Sequence, residues 1–130
     1  MARRLKQNEE PIFQGCTSTG LVTNTAVLCV AGRDYPSGPT NIIVRSGQAG
    51  VGTSTWTITV QKKNSAGTVV AYTGASTALD LDTPINSPQN LLIISTAALS
   101  EGDSLEAVLT KDGGTATTAG TFSITVTAIP

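Results

Sequence analysis

Between Ser54 and Gln61 the apolar residues Trp56, Ile58 and Val60 alternate with Thr55, Thr57, Thr59 and Gln61. Period two predicts a strand with one buried face, because successive side chains leave a pleated backbone on opposite sides. Lys62 to Gly67 then reads as a turn, and Thr68 to Tyr72 as the returning arm of a hairpin. The same alternation runs through Thr121–Ala128, where Phe122, Ile124, Val126 and Ala128 oppose Thr121, Ser123, Thr125 and Thr127. Ser104–Thr110 places Leu105, Ala107 and Leu109 on one face, with Asp112-Gly113-Gly114 as the next turn. Shorter strands are predicted at Thr40–Arg45 and Thr77–Asp82.

Two segments break the alternation. Ala26-Val27-Leu28-Cys29-Val30-Ala31 and Leu91-Leu92-Ile93-Ile94 are apolar at consecutive positions. A strand apolar on both faces is covered twice, by its own chain or by a neighbouring subunit. Val27, Cys29, Leu91 and Ile93 are therefore candidates for an oligomer or partner interface. About eight short strands with regular turns predict an all-β, two-sheet antiparallel sandwich of jelly-roll type. Trp56, Ile58, Val60, Leu105, Leu109, Phe122, Ile124 and Val126 are expected in one core.

Residues 1–11 differ from the rest. They carry five charges, and Leu5 is the sizeable apolar side chain among Arg3, Arg4 and Lys6. Such a stretch cannot bury itself and is expected to be an extended arm closed by Pro11, preceding one domain at 12–130. It lacks the apolar stretch of a secretory signal, so the protein is expected to be made in the cytoplasm and not secreted.

Composition strengthens the β reading. The chain has 130 residues, of which 21 are Thr and 11 Ser, and charged residues make up only 13%. Threonine fits a pleated surface and is stiff in a helix. A chain of this size buries roughly two-thirds of its surface, enough for one core. The net charge of -1 supplies no basic field for nucleic acid, and no apolar run reaches the length of a membrane helix.

Candidate chemistry is sparse. The chain has no histidine, which removes the commonest general base and metal ligand. Cys16 and Cys29 match no zinc spacing; they either pair across neighbouring strands or stay reduced as small apolar residues. Asp80 and Asp82 share one face, but a calcium site wants more oxygen ligands. Those two and Glu101, Asp103 and Glu106 are read as solvated outer-face carboxylates. The stretch Gly47–Gly52 leads into a strand and not a helix, so it is read as a turn and not a phosphate loop. No metal, cofactor or catalytic residue is expected. Tyr35, in the Pro/Gly-rich loop Arg33–Pro39, is either a ring anchoring that loop or an exposed platform for sugar. Tyr72 joins it in the second reading.

Thr55-Trp56-Thr57-Ile58-Thr59-Val60-Gln61-Lys62-Lys63-Asn64 and the Gly-Asp turn of Leu99-Ser100-Glu101-Gly102-Asp103-Ser104-Leu105 resemble small jelly-roll modules of tailed-bacteriophage virion proteins. Thr121–Ala128 resembles their closing strand, so the likeness spans roughly residues 53–128. A more distant similarity, to trimeric jelly rolls of the tumour-necrosis-factor and complement-C1q type, lacks their aromatic-rich subunit interface. The phage resemblance implies a non-enzymatic capsid decoration (cement) protein on the virion surface, bound to the major capsid protein and forming a homo-oligomer, dimer or trimer. It also implies that Arg3, Arg4, Leu5 and Lys6 grip the capsid. The alternative is a receptor- or glycan-binding module of a tail fibre or bacterial surface protein, contacting its ligand through Tyr35 and Tyr72.

Overall fold

A computed structural model describes residues 8–18, 23–48, 55–74, 79–80, 88–112, 114–115 and 120–130. The threonine-alternating segment is β4 (Thr55–Lys63), with Trp56, Ile58 and Val60 buried and the intervening threonines half-buried on the outer face. It pairs antiparallel with β8 (Ser104–Asp112), from Thr55 opposite Asp112 to Lys63 opposite Ser104. The expected hairpin closes on β5 (Val69–Ala71). Its turn is held by Asn64, whose Oδ1 accepts the N–H groups of Ala66 (3.0 Å) and Thr68 (2.9 Å), while Gly67 takes a positive φ of 84°.

Two antiparallel sheets result. The first runs β1 (Glu10–Ser18), β9 (Thr121–Ala128), β3 (Pro39–Gln48), β7 (Gln89–Asn90). The second runs β2 (Asn24–Val30), β8, β4, β5, with β6 (Leu79–Asp80) on the other end of β4. Ile42, Val44, Phe122, Ile124 and Val126 from the first sheet meet Trp56, Ile58, Val60, Leu105, Ala107 and Leu109 from the second in one buried cluster. The described residues contain no helix. The all-β sandwich expected from the sequence is therefore the fold, and each of the eight expected core side chains is buried.

The break in alternation at 26–31 has a local cause. A bulge between Val27 and Cys29 adds Leu28 to β2, so Leu28 and Cys29 both pack against the core. Ala26 and Ala31 also face inward, which leaves Val27 and Val30 facing out. Two-sided coverage is not required to explain this run. A second bulge, between Pro11 and Phe13, does the same for Ile12 and Phe13 in β1.

β1 is a strand that period-two reading misses. It pairs with β9 from Glu10 opposite Ala128 to Ser18 opposite Thr121. Glu9 to Pro11, placed in the expected arm, thus join the sandwich, where Glu9 is buried. Residues 1–7 lie outside the described residues. The other irregular run, Leu91–Ile94, is mostly not a strand. Leu91 N–H donates to Ile42 O in the first sheet, and Ile94 N–H to Tyr72 O beside the second. The segment therefore crosses between the sheets and closes one side of the sandwich.

Candidate functional site

One end of the sandwich is capped by the loops at 31–38 and 95–103. Tyr35 and Leu99 exchange backbone hydrogen bonds (2.7 and 3.0 Å), and Ala31 N–H donates to Asp103 O at 2.8 Å. Gly38 closes the Tyr35 turn with a φ of 65°. Tyr35 is 5% exposed and donates its phenol to Glu10 Oε1 at 2.7 Å, next to Arg33 at 3.7 Å from the same carboxylate. Tyr72 is fully buried and donates to Ala97 O at 3.0 Å. Burial pushes both phenols up to about 12, helped at Tyr35 by the Glu10 hydrogen bond and at Tyr72 by the charge of Asp103. Neither ring presents a face to solvent, so the alternative reading of glycan contacts at Tyr35 and Tyr72 is corrected: both are loop anchors, the other reading given for Tyr35.

The expectation of solvated carboxylates at 103 and 106 is also corrected. Asp103 is buried, accepts Ser100 N–H at 3.0 Å and faces Lys62 Nζ at 3.8 Å. Lys62 donates in turn to Ala98 O at 2.6 Å. Glu106 is buried and accepts from Gln61 Nε2 at 2.9 Å. Glu101 is exposed, as expected, and its N–H caps onto Asp34 Oδ1 at 2.8 Å. The polar groups of this end thus hold two loops and two sheets together. A carboxylate spent on a turn N–H and an ammonium offers structure in place of acid–base chemistry.

No three His, Cys, Asp or Glu side chains gather into a metal-holding group among the described residues. Asp82 lies outside the described residues, as does the side chain of Asp80 in β6. Cys29 carries a free thiol, half-buried, with its pKa raised by burial. The cross-strand disulfide alternative is therefore corrected: Cys29 packs as a small apolar residue in β2 of the second sheet, whereas Cys16 belongs to β1 of the first.

The candidate interface residues separate. Val27 points outward at 61% exposure, as an interface requires. Leu91 is buried in the core, and Ile93 and Cys29 pack half-buried against it, so these three are corrected to interior positions. The outward residues of the same segments are Val30 (61%), Leu92 (79%) and Ile94 (59%). The phase is the reverse of the one expected: Leu91 and Ile93 face inward, Leu92 and Ile94 outward. Val30 was hidden by the bulge at Leu28. Arg3, Arg4, Leu5 and Lys6 lie outside the described residues.

No protein-family model and no curated protein matches the chain. Solved structures of similar layout come from infectious bursal disease virus. The Gt-strain structure is 19% identical over 93% of this chain and 33% of that chain, with a TM-score of 0.49. The Gx-strain structure is 17% identical over 92% and 32%, at 0.44. A mutant VP2 protein of the same virus, in derived T=1 particles, is 17% identical over 93% and 31%, at 0.48. The chain spans about a third of the length of these solved chains.

Proposed function

We propose that the chain is a structural virion protein that decorates the outer capsid surface and reinforces contacts between capsid subunits, without catalysis. One observation carries the reading. Asp103, Lys62, Tyr35 and Tyr72 at the capped end are turned inward onto partners, whereas Val27, Val30, Leu92 and Ile94 face outward on a weakly charged β-sandwich. Such a surface suits binding by burial, repeated over many copies on a lattice, in place of turnover. Residues 1–7, with Arg3, Arg4 and Lys6 flanking Leu5, are the attachment arm in this reading, its cations set over acidic capsid side chains. The major capsid protein is the partner, and the chain associates with itself as a dimer or trimer.

The test is a chain starting at Asn8. The cut falls there because Glu9 and Glu10 both hydrogen-bond into the sandwich. The shortened chain should melt like the full chain and lose most of its binding to particles of the virus that encodes it. Electron microscopy of those particles should show full-length chains at a stoichiometry fixed by the lattice. Absence of the chain from the particles, or presence in a few copies at the tail alone, would overturn the reading.

A further inference from the structure

Edge strands expose unpaired N–H and C=O groups, and proteins blunt them with short length, charge, proline or bulges. Most edges here are blunted. β6 and β7 are two residues long and β5 is three. β1 carries Glu10, Pro11 and a bulge. β2 is the longest edge without a charge or a proline: seven residues, Asn24–Val30, blunted by a bulge alone. Leu28, its bulged residue, is the one irregularity. Thr25–Val30 pairs with β8 on one side, and β2 ends the sheet order on the other among the described residues. Val27 and Val30 stand outward on this edge, each 61% exposed.

We propose that the β2 edge is a self-association surface, pairing antiparallel with β2 of a second copy so that the two five-stranded sheets become one. This deepens the self-association part of the function proposed above. A two-fold antiparallel pair sets the strand against its own sequence. Thr25–Val30 contains no charge, so the symmetric pair opposes no like charges, and the valines of each copy cover those of the other. A charged foreign strand would find no complementary charge on β2. Area sets the strength. A standard interface takes about 800 Å² from each partner, contributed by roughly 20–30 residues. A six-residue edge supplies less, so the dimer is of the transient, concentration-dependent class.

The test is sedimentation of the full chain alone, without capsids, from micromolar to near-millimolar concentration. The weight-average mass should climb from 13.3 kDa toward twice that value. Val27→Lys and Val30→Lys, both at exposed positions, should weaken the association at least about tenfold. Leu92→Lys, on the other exposed segment, should leave it unchanged. If a variant does not fold by circular dichroism, hydrogen exchange of the unmodified chain decides instead: amides within Thr25–Val30 should slow as concentration rises. A constant 13.3 kDa throughout overturns the proposal. So does an association unmoved by both β2 variants, or one lost equally with Leu92→Lys. A β2 variant that loses particle binding while the unmodified chain stays monomeric assigns the edge to the capsid protein and also overturns it. Particle binding is measured separately, so either reading can fail without the other.

Discussion

The phenol of Tyr35 donates to Oε1 of Glu10 at 2.7 Å, tying the 31–38 loop to the first residue of β1. Tyr35→Phe keeps the buried ring and removes the bond. It should cost about 1–2 kcal/mol, since hydrogen bonds to charged groups exceed neutral ones while Glu10 is partly exposed. Urea unfolding with an unchanged m-value checks this. A loss within error of zero would show that the ring alone anchors the loop.

Both tyrosines lose their protons only near pH 12 in the folded chain, above the ordinary value of 10. Between those values the unfolded chain has released protons that the native state still holds. Stability is therefore full below about pH 10 and falls as pH rises toward 12. A thermal-melting series from pH 8 to 12 should show a flat region and then a steep alkaline decline. Tyr35→Phe should make that decline shallower, because one of the two linked protons is gone.

The core of this fold was legible because its strands obey period two: Trp56-Ile58-Val60 and Phe122-Ile124-Val126 announce their buried face. The edges were not. β1 hides behind Pro11 and a bulge that sends both Ile12 and Phe13 inward, so no alternation survives. The same device in β2 makes a one-sided strand look apolar on two sides. The burial of Asp103, Glu106 and Tyr72, and the choice between the two readings of Tyr35, escape the sequence for another reason. Their burial depends on partners 25 to 45 residues away in the chain, or on a loop folding back, which periodicity cannot report.

Gly38 separates two effects of a left-handed glycine. A Cβ there would stand 2.5 Å from Ala97 O and 2.8 Å from Tyr72 Cε1, in addition to the strain of φ 65°. Gly102 has φ 90° and open space around it. Gly102→Ala should cost about 1 kcal/mol from backbone strain alone. Gly38→Ala should cost roughly 2–4 kcal/mol, because backbone and a buried ring must both shift. Equal losses would mean the loop yields freely at Ala97.

Lys62 and Asp103 are mostly shielded from water, with side chains 15% and 10% exposed. Removing one partner leaves the other charge in a poor solvent. Lys62→Met should cost about 3 kcal/mol, toward the low end for breaking a buried pair because the contact is 3.8 Å long. Asp103→Asn also weakens the Ser100 turn, so the pair is best isolated by a double-mutant cycle. A coupling of about 1–2 kcal/mol is expected. Additive losses would assign the effect of Lys62 to its bond with Ala98 O.

Trp56 stands on the second sheet's inner face without any exposed surface, yet its indole Nε1 has no hydrogen-bond partner among the described residues. Two opposed contributions follow. The ring supplies burial and close packing, so Trp56→Ala should cost about 3–5 kcal/mol. The unpaired N–H detracts by about 1–3 kcal/mol, the desolvation of a donor that nothing satisfies. Trp56→Phe removes that donor and only part of the volume, so the two changes offset. Its net effect should lie within about 1 kcal/mol of the unmodified chain. Chemical denaturation of the two variants side by side measures the split. A Phe variant nearly as unstable as the Ala variant would show that the indole's second ring, and not the fate of its N–H, governs the core.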